Sequence, residues 1–421
     1  VWVVAGLLTL AGALVYAELG TMMPRSGGEF HFLGAAYGPR WAFLYGWTKT
    51  LALGASAAAS AIILVAFLNG LTGGKLSPLA VSLLPLLVIV IGTVINFASV
   101  RSSGLTATAL TGVKVGLVLL VGVGGLMLAN GDWANFSMNN GSAGTCEGVP
   151  ETAKLGINGF GAAMLGALWG YNGWAIISAL GGEIRNPSRT LPLALIGATL
   201  TVIALYLVIN TAYFYVLTPL EVASVPESSS VALEAAVRFV GPGVTVLMAA
   251  GLMISAYGTL HTTLLTGPRV TYALAKAKLL PAILARISAN GVPAVSVAVI
   301  GVWSLFLAAT GTYDILTDIY IFVLWVFFGM NGLALFILRR KAPDAERPYR
   351  AFGYPFVPAL FLLATVFLLA NTLVATPWRA LAGVGLIVVG LPVYSYFARR
   401  AGDLDSFRWL GPDEDPEDTR D

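Results

Sequence analysis

The sequence predicts an all-α polytopic membrane protein, and three observations carry that expectation. Hydrophobic residues fill 57% of the 421 positions and charged residues only 11%, whereas a water-soluble domain carries about 25% charge. Mean hydropathy is +0.82. Apolar runs of roughly 20 residues, the length that crosses a hydrocarbon core, recur along the chain. A single cysteine, Cys146, leaves no intrachain disulfide framework. The net charge of +3 is small, so the placement of charges says more than their sum. No cleavable signal peptide is visible. The chain opens inside an apolar run, Val1-Trp2-Val3-Val4, which reads as missing upstream sequence.

Eleven spans are expected, each bounded by charges or by Pro/Gly-rich breaks. Span 1–21 stops before Pro24-Arg25, and span 41–70 lies between Arg40 and Gly73-Gly74-Lys75. Span 78–98 ends short of Arg101; span 106–129 ends before Asp132. Span 157–181 stops before Glu183, and span 191–217 runs from Arg189 to Pro219. Span 241–275 is too long for one pass. Its end, from Thr266 to Leu280, carries Arg269, Lys276 and Lys278 and is expected to leave the membrane. Spans 293–311 and 314–338 follow, the second closed by Arg339-Arg340-Lys341. Spans 354–374 and 379–398 complete the set, ending at Arg399-Arg400. Short loops join most of them, so 1–400 is expected to be one transmembrane domain. Residues 401–421, ending in DEDPEDTRD, are expected to be a solvated acidic tail.

Basic residues set the orientation. If the first span runs outside to inside, the inner loops hold Arg25, Arg40, Arg101, Arg185, Arg189, Arg269, Arg339, Arg340, Lys341, Arg399 and Arg400, among others. The outer loops hold only Lys75, Lys154, Arg238 and Arg379. The C-terminus is then cytoplasmic. An odd number of spans starting outside implies one absent earlier helix, and twelve spans in the complete protein.

One span is interrupted. In LWGYNGWAI, Leu168 to Ile176, Gly170 and Gly173 flank a Tyr-Asn pair at mid-membrane depth. Glycines in membrane helices often serve only close packing. Unwound backbone at that depth is tolerated only inside protein or along a cavity. Secondary transporters use such breaks, where half-helix N-termini attract a substrate carboxylate and free carbonyls hold its ammonium. Trp169, Tyr171 and Trp174 stand ready to close over an apolar side chain. A substrate site and a packing kink both remain open on these residues alone.

The stretch LWGYNGWAIISALGGEIRNPSRTLPLA, Leu168 to Ala194, resembles the sixth helix and following loop of the L-type amino acid transporters. These belong to the amino acid–polyamine–organocation superfamily. The resemblance rests on Trp169, Gly170, Tyr171, Gly173 and Trp174, then Glu183, Asn186, Pro187, Arg189, Leu191 and Pro192. YAELGTMMPRSGGEFHFLGAAYGP, from Tyr16 to Pro39, is similar to the family's second helix and first inner loop. ERPYR, Glu346 to Arg350, and GLPVY, Gly390 to Tyr394, match near the end. The resemblance implies a five-plus-five inverted-repeat transporter fold with two extra helices. The eleven spans become helices two to twelve of a prokaryotic member whose first helix is absent. That helix supplies about half of the family's substrate contacts, so the chain as it stands is not expected to transport.

The same resemblance assigns further residues. The expected substrate set is Trp169, Gly170, Tyr171, Asn172, Gly173, Trp174 and Ala175. Lys114 matches the fifth-helix lysine that replaces a sodium ion in sodium-independent members, with Ser255 and Thr259 as hydroxyl neighbours on the eighth helix. Read as residues alone, Lys114 is an ionisable group in a span, which costs a few kcal/mol, or a cation snorkelling to the interface. Ser255 and Thr259 are four apart and share a face, although back-bonding to the helix carbonyls explains them equally well. Trp169, Trp325, Glu183 and Arg189 are the expected gating residues, Glu183 pairing with Arg185 or Arg189. His261 reads as packed. Asp314 and Asp318 read as helix N-terminal dipole partners. Lys49 is a buried-looking charge with no assigned role.

No Asp, Glu, Lys or Arg stands beside the break, so a neutral L-amino acid fits it best. The expected activity is sodium-independent secondary transport by alternating access, as exchange. Proton-coupled symport and a non-transporting amino acid sensor are the alternatives. An enzyme is not expected, because His31 and His261 are far apart and no clustered nucleophile or metal site appears. No GxxxxGK[ST] loop supports direct ATP drive. No cofactor, metal or nucleic-acid partner is expected. Partners are the amino acid and membrane lipid, in the cell inner membrane. The loop where animal relatives form a disulfide to a heavy chain has no cysteine, so a monomer is expected.

Overall fold

The computed structural model describes residues 1–98, 100–147, 149, 154, 156–226, 229–311, 313–375 and 377–401. Their backbone is almost entirely helical, and the bridge between Ser26 and Leu180 is their one isolated β pairing. The tail expected over 401–421 lies, beyond Ala401, outside the described residues.

Every expected span forms a helix. They are α1 (Trp2–Met22), α3 (Pro39–Leu71), α4 (Pro78–Ile95), α5 (Val100–Leu128), α6 (Gly156–Gly170), α7 (Pro187–Val216), α10 (Val244–Thr266), α12 (Ala294–Thr310), α13 (Tyr313–Lys341), α14 (Phe356–Ala375) and α15 (Pro377–Ala401). Shorter pieces connect them: α2 (Glu29–Tyr37), α8 (Pro219–Ala223), α9 (Val231–Val240) and α11 (Pro268–Lys276). Among the described residues, nine stretches are at least 18 residues long and apolar enough to cross a membrane. The two spans outside that set are α12, with 17 residues, and α6, which stops after 15. The overlong span divides where Thr266 ends α10 and Pro268 opens α11.

The surface explains why water is not the solvent around these helices. Leu79, Met127, Leu193, Val302 and Val374 are 66–83% exposed. Large apolar side chains at that exposure, all around the bundle, mark a lipid-facing belt. Inside, α3 lies against α10, α1 along α7 and α4 against α12. Small residues permit close approach elsewhere too, of α3 to α12 and of α10 to α5. A Cβ on Gly54 would come within 2.2 Å of the Trp303 ring, and one on Gly251 within 2.2 Å of Leu117.

One end of the bundle gathers the basic residues. There α1 ends, and Gly27 and Gly28 turn the chain into α2 with φ of +106° and +45°. The Gly27 N–H donates to the Ala179 carbonyl at 2.9 Å. A Cβ on Gly28 would sit 2.5 Å from the Ser178 carbonyl, so glycine is required both for backbone conformation and for space. This turn docks directly on the segment that follows the α6 break.

Candidate functional site

The helix breaks where the sequence places the break. Tyr171 N–H donates to Ala167 at 3.0 Å in α-helical fashion, and Asn172 N–H already shortens its reach to Trp169, also 3.0 Å. Gly173 then enters the left-handed region with φ +111°, and its N–H is taken by the Asn172 side-chain oxygen at 2.8 Å. A 3-10 helix, Trp174–Ala179, resumes beyond it. Among the described residues, the N–H groups of Trp174 and Ala175 reach no backbone carbonyl. The Gly170 carbonyl is capped by the Tyr206 hydroxyl of α7 at 2.5 Å. Space lies alongside: a Cβ on Gly166 or Gly173 would meet nothing within 4 Å.

The three aromatics at the break do not share one task. Trp169 is exposed. Tyr171 departs from the expected lid: it is buried, its hydroxyl donates to the Trp2 carbonyl at 3.2 Å, and its ring packs on Trp2 and Tyr206. Its polar tip is satisfied by α1, so here it ties the first half-helix to the scaffold. Trp174 packs edge-on against Tyr16, centroids 4.8 Å apart, and against Phe328 of α13 at 5.1 Å. Ala175 is buried below it.

Lys114 reaches across from α5 to α10. Its ammonium donates to the Thr259 hydroxyl at 3.0 Å, and that hydroxyl donates on to the Ser255 carbonyl at 3.2 Å. Gly258 makes the crossing possible, since a Cβ there would lie 3.2 Å from Lys114 Cε. Both sequence readings of Thr259 therefore hold at once, cation partner and back-bonded hydroxyl. The Ser255 hydroxyl is not part of the contact; its backbone oxygen is. His261 is packed as expected. Asn96 donates to its Nδ1 at 3.1 Å, and its Nε2 meets the Ser103 carbonyl at 3.0 Å. A carbonyl only accepts, so Nε2 is the donor to Ser103.

The ion pair of Glu183 differs from the one expected. Glu183 pairs neither with Arg185 nor with Arg189. It accepts from Arg269 of α11 at 3.0 and 3.4 Å, while both nearer arginines lie exposed. Arg269 also donates to the Leu265 carbonyl and is 2% exposed. Sequence distance misled here: Asn186, at φ +50°, turns the chain into α7 and carries Arg189 away. Trp325 lies in the core, 6% exposed, packed on Phe328 and Phe361. The side chains of Asp314 and Asp318 lie outside the described residues.

Sequence reasoning underrated Glu18. It is fully buried and accepts from Arg339 at 2.9 and 2.6 Å, from the Ala351 N–H at 2.6 Å, and meets Arg347 at 3.4 Å. Arg347 in turn caps the α13 carbonyl ends at Leu338 and Ala342. The signal was present in two quoted motifs, the Glu of YAELG and the first Arg of ERPYR, but nothing local joins them.

A family model described as Amino acid permease matches residues 1–395. The serine/threonine exchanger SteT of Bacillus subtilis (strain 168) is 31% identical over 95% of this chain and 88% of its own length. The b(0,+)-type amino acid transporter 1 of Mus musculus is 31% identical over 94% of the chain and 80% of its own. The human cystine/glutamate transporter is 29% identical over 94% and 77%.

Proposed function

The chain belongs to the amino acid permease family, as a membrane transporter of amino acids rather than an enzyme, and from that premise we propose that it exchanges neutral L-amino acids by alternating access without sodium. The observation that carries the proposal is the interrupted helix at Gly173, with the Trp174 and Ala175 N–H groups unclaimed by backbone beside open space. Such donors suit a carboxylate in a low-dielectric setting. Trp169 to Ala175 is the proposed substrate segment, with Tyr171 contributing from behind. The absence of charge in that segment favours a neutral side chain, as does the serine/threonine name of one relative. In this reading the Lys114 ammonium, bonded to Thr259 at 3.0 Å, does the work of a bound cation. Trp169 is the proposed lid, and Trp325 backs Trp174 through Phe328. Glu183, paired with Arg269, closes the basic end.

The packing supports the inverted repeat. Counting α1 as the second helix of a five-plus-five fold makes α3 and α10, α1 and α7, and α4 and α12 related pairs. Each pair packs together. Contacts also recur after a shift of five, α5 with α10 matching α13 with α3, and α5 with α7 matching α13 with α1. In this reading 1–400 is one transport domain, 401–421 is a cytoplasmic tail, and the basic end faces the cytoplasm from the inner membrane.

The test is counterflow of labelled serine, alanine and leucine by the full-length protein in liposomes. Uptake is expected only with amino acid trapped inside, equally in sodium and choline, and uninhibited by lysine or glutamate. Stimulation by sodium overturns the sodium claim. Uptake driven by a proton gradient into empty vesicles replaces exchange with symport. Tight binding without any flux makes the protein a sensor.

A further inference from the structure

Between α1, α2, α3 and α13 lies a polar cluster that the proposed carrier cycle does not use. Glu29, the first residue of α2, accepts a hydroxyl on each carboxylate oxygen, from Tyr16 on Oε1 and from Tyr45 on Oε2, both at 2.5 Å. Asn331 donates to the Tyr16 oxygen at 3.0 Å and to Glu29 Oε1 at 3.4 Å. The Lys49 ammonium stands 3.8 Å from Oε2. All five side chains are buried, Lys49 at 6% exposure being the most accessible. Among the described residues Lys49 donates no hydrogen bond, and Glu29 is its one ion-pair partner. Its ammonium also lies 6.0 Å from the Tyr45 ring centroid, and removing either partner of a buried pair leaves the other charge uncompensated.

What the cluster touches indicates the use. The Tyr16 ring lies edge-on to Trp174, and also to Phe328 at 5.9 Å. On the other side of Glu29, Gly27 and Gly28 dock on Ser178 and Ala179. The 3-10 half of the break is therefore gripped twice, through a tyrosine ring and through a glycine turn, and Glu29 joins both grips. We propose that Glu29 and Lys49 form a buried charge latch that holds the Trp174–Ala179 segment and the α1–α2 turn against α3 and α13, and whose loosening opens the basic end. Both are positioning residues acting through Tyr16 and the glycine turn. The latch deepens the carrier reading of the break and rests on it.

The groups around Glu29 are donors and a cation. The titratable groups facing it are Tyr16 from α1 and Tyr45 and Lys49 from α3; Asn331 from α13 is neutral. His31, on its own helix, meets the Ser26 carbonyl at 3.0 Å. Two hydroxyl donors and an ammonium complement the carboxylate, and such charge-assisted bonds are the strong ones.

The test reads the gate directly. In a Cys146→Ser background, Ser178→Cys is labelled by a membrane-impermeant maleimide in inside-out vesicles of the full-length protein. Lys49→Met is expected to raise the labelling rate about fivefold or more, while Lys49→Arg stays within about twofold of the parent. Wild-type labelling of Lys49→Met overturns the latch. Should Lys49→Met fail to fold, Glu29→Gln/Lys49→Met removes both charges; fast labelling supports the latch and slow labelling overturns it. In counterflow, turnover is expected to change with KM held within about twofold; an equal loss in both also overturns it. If the parent shows no counterflow while the labelling pattern holds, the latch stands and the carrier reading falls; the reverse result removes the latch alone.

Discussion

Gly173 holds the turn on which the break depends, with φ +111° and open space where a side chain would project. Gly173→Ala therefore meets no clash and still strains the backbone by about 1–3 kcal/mol. A lower melting temperature and a raised exchange KM are expected together; an unchanged melting temperature contradicts the strain. Thr259 is the second decisive residue, because it is the hydroxyl that receives the Lys114 ammonium. Thr259→Val keeps the shape and deletes the acceptor, a loss of about 1–3 kcal/mol for a charged donor. Exchange turnover is expected to fall about tenfold or more with no gain of sodium dependence, measured by counterflow in sodium and in choline. Both residues were legible in the sequence, one as a glycine beside a polar pair and one as a hydroxyl four residues from Ser255. Lys49 and Tyr171 were not, since their surroundings come from other helices.

Among the elements, α8 shows how a short helix outside the spans is fixed. Thr218 caps it in a capping box with Glu221, whose carboxylate accepts the Thr218 N–H at 2.8 Å and pairs with Arg238 at 2.6 Å. The Thr218 backbone bond, above all, holds the Glu221 carboxyl below its ordinary 4.5, with the Thr218 hydroxyl and Arg238 adding to it. A depressed carboxyl stabilises the fold above about 4.5, and that contribution disappears as pH falls through the lower folded value. Hydrogen exchange at Val222 and Ala223 is expected to be constant from neutral pH down to that range and to accelerate, beyond its intrinsic trend, below it. Glu221→Gln is expected to remove the dependence. The long elements were legible from run length alone, and their ends fell within a few residues of charges and prolines. The sequence reading left α2, α8 and α9 unresolved, because short helices in loops carry no lipid-length signal.

At the scale of the whole molecule, Glu18 fastens α1 to α13 and to the following strap through Arg339, Arg347 and the Ala351 N–H. Glu18→Ala leaves two arginines facing an emptied site, and breaking a buried pair costs about 3–5 kcal/mol. A large fall in thermal half-life in detergent is expected, greater than for Arg238→Ala at the exposed Glu221 pair. Equal effects from the two variants contradict the assignment. By itself the sequence determined the solvent of this protein, its spans, and the place where one helix breaks. Each of these depends on local composition: twenty apolar residues suit lipid, and a glycine beside unsatisfied polar groups permits unwinding wherever the chain packs. Only the tertiary structure decided which charges meet. Glu183 passes over Arg185 and Arg189 to pair with Arg269, 86 residues away, and Glu18 finds Arg339 at a separation of 321. Those partners are set by which helix ends converge at the basic end of the bundle, and a buried charge takes the partner that the packing brings within reach.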